Sequence, residues 1–145
     1  MSNRRSRRRV IRDLAFKALY QLEFQDLTPS DSAHRVCQVE GVSGDLEREV
    51  RIFVEGTVSK LPEIDKAISE RLIGWSMKRL SIVSRSVLRL ETYELLYDLN
   101  VPIEVSINEA VELSRNYGTE GDRKFVNGVL DKIAKNLAPP QKFKL

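Results

Sequence analysis

The sequence predicts an all-α protein of six to seven helices, and three observations predict it. Apolar residues recur at helical spacing in several separate segments, no stretch alternates with the period of two that a half-buried strand requires, and short Gly or Pro connections separate the periodic segments. A chain of 145 residues is sized for one domain and can hide about 68–70% of the surface its unfolded form exposes. With 41% apolar and 31% charged residues, the composition is that of an ordinary folded protein rather than a disordered one.

The elements follow in order. Ile11, Leu14, Ala15, Ala18 and Leu22 fall at i, i+3, i+4, i+7 and i+11, one apolar stripe on a helix over about 8–25 that Thr28-Pro29 closes. From Asp31 to Gly44 the pattern is ambiguous: 34–39 reads as a short helix, and Gly41-Val-Ser-Gly44 as a break. Val50, Phe53, Val54, Thr57, Val58 and Leu61 define a helix over about 45–61. Pro62 ends it and suits the first position of the next, where its missing N–H costs nothing; Ile64, Ile68 and Leu72 mark that helix's buried face. Gly74 and Trp75 form a corner. Between Ser81 and Leu99 the apolar face is too broad for a surface helix and suits a central one, stopped by Asn100 and Pro102. Ser106-Ile-Asn-Glu109 has capping-box spacing and opens a helix running to Gly118. A last helix spans about 122–137 before Pro139-Pro140. The expected organisation is a flexible arginine-rich arm over 1–9, one all-helical domain over 10–138, and a tail over 139–145.

The formal charge of +3 hides an asymmetry. Arg4, Arg5, Arg7, Arg8, Arg9 and Arg12 precede the first acid, Asp13, and the other 18 basic and 21 acidic residues sum to −3. A basic arm on a mildly acidic body concentrates positive potential at one end, as a polyanion-binding site does. No apolar run approaches the ~20 residues of a membrane span, and the N-terminal segment is interrupted by Arg12, Asp13 and Lys17, unlike a secretory signal. The single Cys37 excludes an internal disulfide, which suits a cytosolic location.

Among candidate sites the arm carries the clearest chemistry, because guanidinium groups bind phosphate bidentately and stay charged. The bland alternative is a solvated tail. Arg9, Arg12, Phe16 and Tyr20 lie at i, i+3, i+7 and i+11, so charge and aromatic rings can line a path for single-stranded nucleic acid; for Phe16 and Tyr20 the core is the competing place. A second candidate is Tyr117-Gly-Thr-Glu-Gly-Asp-Arg-Lys-Phe125, preceding a helix whose free N–H groups can hold an anion; an ordinary helix connection is its alternative. His34 and Cys37 have metal-ligand types, but a structural zinc needs four ligands and the chain has no other His or Cys. Glu91 and Glu94 are expected as exposed or salt-bridged acids rather than a catalytic pair, and Gly118-Thr-Glu-Gly121 lacks the phosphate-loop pattern. No catalytic constellation, cofactor or metal is expected.

Three stretches carry a family resemblance: Val101-Pro-Ile-Glu-Val-Ser-Ile-Asn-Glu-Ala-Val-Glu-Leu with Tyr117-Gly-Thr-Glu120 and Lys124-Phe-Val-Asn-Gly-Val-Leu-Asp131; the Arg-rich segment through Ala18-Leu-Tyr-Gln21; and Val87-Leu-Arg-Leu-Glu-Thr-Tyr-Glu-Leu95. Together they resemble the NusB antitermination proteins over nearly the whole chain. The resemblance implies a fold of two packed helical subdomains and an RNA-binding adapter rather than an enzyme. It implies binding of boxA-type elements in nascent ribosomal RNA transcripts, with NusE, a small-subunit ribosomal protein, inside an RNA polymerase antitermination complex. It places RNA contacts on Arg5, Arg7, Arg8, Arg9, Arg12 and Tyr20 and on Gly121, Lys124 and Phe125, and the protein partner around Ser84. Ser84 and Gly121 stand where the family often carries an acid. Two alternatives accompany this reading. One is an RNA-targeting helical domain like those fused to ribosomal RNA cytosine methyltransferases, for whose catalytic domain 145 residues leave no room; the other is a structural scaffold or homodimer.

Overall fold

The computed structural model describes the backbone from Arg4 to Leu145 and side chains from Arg7 onward, and among the described residues it contains seven α-helices and no strand. The chain divides into two compact units, Met1–Ser59 and Lys60–Leu145.

The first unit is a three-helix cluster: α1 (Arg4–Leu22), α2 (Pro29–Val39) and α3 (Gly44–Ser59), each in contact with the other two. The helix of α1 begins inside the stretch expected as a flexible arm, since arginine is a good helix former and neither Gly nor Pro interrupts it. Its buried arc is wider than a single stripe and takes in Ile11, Leu14, Ala15, Phe16, Ala18 and Leu19. Thr28-Pro29 does not close α1, which has already ended; it opens α2. Thr28 is extended and its Oγ1 accepts the Asp31 N–H at 3.0 Å, while Pro29 takes the first turn. The ambiguous segment is thus a full helix. Ser32 fastens it to α1, donating from Oγ to the Ala18 carbonyl at 2.7 Å and accepting from Gln21 Nε2 at 2.9 Å. Gly41, at φ 72°, makes the break after α2, in a conformation that favours glycine.

The second unit is built around α5 (Ile82–Tyr97), which contacts α4 (Leu61–Ser69), α6 (Ile103–Tyr117) and α7 (Glu120–Leu137). Its central place matches its broad apolar face: Val87, Leu88, Leu90 and Leu95 are fully buried. Of the two alternatives for Glu91 and Glu94, exposed or salt-bridged, exposure is not found: both are buried, and the segment expected as a tail brings a cation near them. A short 3-10 turn, Pro140–Lys144, carries Lys142 into the interior, where its Nζ donates to the Glu94 carbonyl at 3.0 Å. Burial pushes the Lys142 ammonium below its ordinary pKa, opposed by Glu94, Asp98 and Glu91, so the acids have an internal counter-charge. The expectation for Ser106 fails. It does not cap α6, which starts after an extended Pro102; it lies inside the helix, buried, donating to Glu94 Oε1 at 2.7 Å.

Candidate nucleic-acid interface

In the first unit the candidate residues lie along α1. Arg7, Arg8 and Arg9 are exposed or half-buried, and Arg7 pairs with Glu49 of α3. The Arg5 side chain lies outside the described residues. Arg12 is only 4% exposed, which corrects its assignment as a phosphate contact: it falls within the wide buried arc of α1, between Ile11 and Leu14. Phe16 is likewise a core residue. The stripe therefore runs from solvent into the core and out again, and Tyr20, 36% exposed, is where it re-emerges.

Sequence reasoning missed Phe24. Its ring is 61% exposed and lies 5.3 Å from that of Tyr20, which is 6.0 Å from Phe16. The available signal was the spacing of four between Phe16, Tyr20 and Phe24, which stacks side chains along one helix face. Tyr20 and Phe24 form an aromatic step, anchored on a buried ring and open to water.

In the second unit the candidate residues open α7. Thr119 is the N-cap, and its Oγ1 accepts from the Asp122 N–H at 3.1 Å, while the Asp122 carboxylate accepts from the Thr119 N–H at 2.8 Å, a complete capping box. At the helix end where an outside anion was expected, an internal carboxylate thus takes the Thr119 N–H. Asp122 reaches further. Its Oδ1 accepts from Ser84 Oγ at 2.8 Å and from Ser81 Oγ, itself the N-cap of α5, at 2.9 Å. Burial alone would raise the Asp122 pKa, but the Thr119 N–H and the hydroxyls of Ser84, Ser81 and Thr119 together hold it below the ordinary value. One carboxylate thus ties the starts of two helices together. Ser84, expected to touch a protein partner, is buried and points its hydroxyl at Asp122.

Around the brace, Gly121 and Lys124 are exposed and Phe125 is half-buried. Lys124 reaches only Glu120, at 3.7 Å, with both side chains largely in water, so it is available to a phosphate. His34 is exposed and pairs with Glu47 at 3.0 Å, whereas Cys37 is buried. Among the described residues no group of three or more His, Cys, Asp or Glu could hold a metal ion, and no helix is long and apolar enough to cross a membrane.

Comparison with known proteins places these features. The model of the NusB family matches residues 9–135. The transcription antitermination protein NusB of Pseudothermotoga lettingae is 47% identical over 137 residues, 94% of this chain and 97% of that protein. Among solved structures, NusB from T. maritima is 44% identical, with 95% of this chain and 97% of that one covered and a TM-score of 0.84. A crystal structure of the antitermination factors NusB and NusE in complex with double-stranded RNA contains a chain that is 31% identical, with 89% of this chain and 96% of that one covered and a TM-score of 0.82.

Proposed function

The chain belongs to the NusB family of transcription antitermination proteins, and from that premise we propose that it is an RNA-binding adapter acting on boxA-type elements of nascent ribosomal RNA transcripts. It works together with NusE inside an RNA polymerase antitermination complex in the cytoplasm, and it acts by binding, without a chemical step. The observation that carries this reading is the likeness to a chain solved with NusE and RNA.

The residues supply a mechanism. Arg7, Arg8, Arg9 and Lys124 neutralise phosphates, while Tyr20 offers a ring to a base. Open aromatic faces serve unpaired bases, because bases in a duplex are already stacked on their neighbours. Phosphate contacts position a protein but do not read sequence. Specificity then comes from pairing with NusE: when two RNA-contacting surfaces are joined, the second engagement is intramolecular and gains from effective concentration.

The test is a titration of the full chain, with and without NusE, against single-stranded boxA-type RNA, the same RNA annealed to its complement, and a scrambled strand. NusE is expected to tighten binding to the single-stranded cognate far more than to the scrambled strand. By linkage the cognate must strengthen the protein pair by the same factor. Equal NusE affinity in the presence of every RNA would overturn the cooperative adapter.

A further inference from the structure

The second unit presents an aromatic and cationic loop that the contacts described above do not use. Between α4 and α5, Ile73 is 80% exposed and Trp75 56% exposed. Two large apolar side chains are thus left in water within three residues of one another, and a cluster of this kind, unlike scattered single residues, marks a contact surface. The loop is not slack. Gly74 turns it with φ 76°, the 3-10 turn Met77–Arg79 follows, and Arg85 of α5 fixes that turn by donating from Nη1 to the carbonyls of Met77 at 3.0 Å and Leu80 at 3.3 Å.

The charge along this stretch of chain is one-sided. From residue 71 to residue 90 the chain has five basic side chains and no acid. Three are committed to the scaffold: Arg71 donates to the Ala67 carbonyl, Arg85 holds the turn, and Arg89 binds Asp65 through two bonds of 2.9 Å. Lys78 and Arg79 are exposed and form no ion pair among the described residues. Protein-protein interface cores are depleted in charge, whereas a ring flanked by cations is the composition of a single-strand nucleic-acid contact. The loop also continues the surface at the start of α7. Arg79 is two residues from Ser81, at most about 7 Å along the chain, and Ser81 bonds Asp122, two residues before Lys124.

We propose that the loop 73–79 is a further RNA contact, in which Trp75 stacks on an unpaired base and Lys78 and Arg79 bind the flanking phosphates. This rests on the RNA-binding reading above and extends it to a segment that reading leaves unassigned.

Trp75 is the sole tryptophan of the chain, so its fluorescence reports on this loop alone. The full chain is titrated with a single-stranded boxA-type RNA, following tryptophan emission and, separately, the anisotropy of labelled RNA. Expected is quenching that saturates with the same Kd as the anisotropy. Trp75→Ala should weaken binding roughly 5- to 150-fold and Trp75→Phe much less, and Lys78→Ala with Arg79→Ala should lower the log-log salt slope by about 1.4. Circular dichroism checks that each variant is folded. Binding seen by anisotropy with unchanged emission, and a folded Trp75→Ala that binds as the parent does, would overturn the proposal while leaving RNA binding intact. Emission that responds to NusE but not to RNA would overturn it in favour of a protein contact. No anisotropy change at all would instead bring down the RNA-binding reading itself.

Discussion

Replacing Arg7, Arg8 and Arg9 together by alanine isolates the electrostatic part of RNA binding. All three stand on the first turns of α1 with their side chains at least partly in water, whereas Arg12 is buried and does not enter the count. Each phosphate contact to a single strand contributes about 0.7 to the slope of log affinity against log salt, so three lost contacts lower that slope by about 2. Across a fourfold rise in salt, from about 50 to 200 mM, the deficit of the variant should therefore shrink roughly 20-fold. Because phosphates carry no sequence information, cognate and scrambled RNA should be affected alike. The assay is fluorescence anisotropy over a salt series, with Arg12→Ala as the internal control. Arg12→Ala should lower the melting temperature, since it leaves the buried surroundings of the guanidinium without their partner, at a cost on the order of 1–3 kcal/mol, and should leave the slope unchanged. A folded triple variant with the parent slope would remove the arm from the interface. An Arg12→Ala variant of normal stability and reduced slope would refute the distinction drawn between the buried and the exposed arginines.

Three further outcomes follow from named contacts. Tyr20→Ala and Phe24→Ala should each weaken RNA binding by an amount on the order of 1–3 kcal/mol while Tyr20→Phe costs little; normal affinity with early melting would assign the rings to the core alone. Asp122→Ala should cost about 0.5–2 kcal/mol of stability at neutral pH through loss of the α7 cap. The Asp122 pKa is lowered by folding, so this contribution is complete above the ordinary value of 3.8 and is lost as pH falls through the folded value; a gap in urea midpoints that persists undiminished down to about pH 1 would contradict it. Lys142→Ala should lower stability by about 1.5–3 kcal/mol, the worth of a hydrogen bond to a charged group, and deleting Pro139–Leu145 should destabilise comparably; a silent deletion would show that the segment is a tail after all.

The helices were legible because each buries a face against a neighbour, and burial imposes the period that the sequence displays. What was not legible depends on partners far along the chain. Nothing near Glu91 or Glu94 announces that Lys142, 48 residues beyond Glu94, will enter the core beside them. Ser106 has a capping-box spacing with Glu109, but the extended Pro102 starts α6 a turn earlier and Glu94 of α5 claims the hydroxyl. The genuine capping box is Thr119 with Asp122, in a segment whose Gly, Lys and Arg also suit an anion. At the interface, periodicity located the face of α1 that carries Arg9, Arg12, Phe16 and Tyr20. It could not say how wide the buried arc is, and that width separates Arg12 and Phe16 from Tyr20. Trp75 passed as a corner residue because exposure is not a property of local sequence.

Ser84 and Gly121, where the resemblance led us to expect an acid, differ in what the fold permits. Ser84 Oγ lies 2.8 Å from Asp122 Oδ1, so a carboxylate at 84 would face another at contact distance. Two carboxylates that close cannot both ionise without a large penalty. Gly121 sits in the first turn of α7, where an added Cβ would meet only Thr119 Oγ1, at 3.6 Å. An acid there replaces the poorer helix former, a gain of only about 0.3 kcal/mol for aspartate, and complements the helix dipole, a gain of about 0.3–1 kcal/mol. Gly121→Asp should therefore raise the melting temperature at pH 7, and Ser84→Asp should lower it. The loss in Ser84→Asp should shrink in acid, as one of the two carboxyls takes up a proton. Combining it with Asp122→Ala supplies the decisive comparison: if the two acids repel through space, the double variant is more stable than the sum of the single losses allows, and the coupling is positive. Additive losses would mean that position 84 tolerates no acid for reasons of packing alone, and that the two carboxylates do not interact through space.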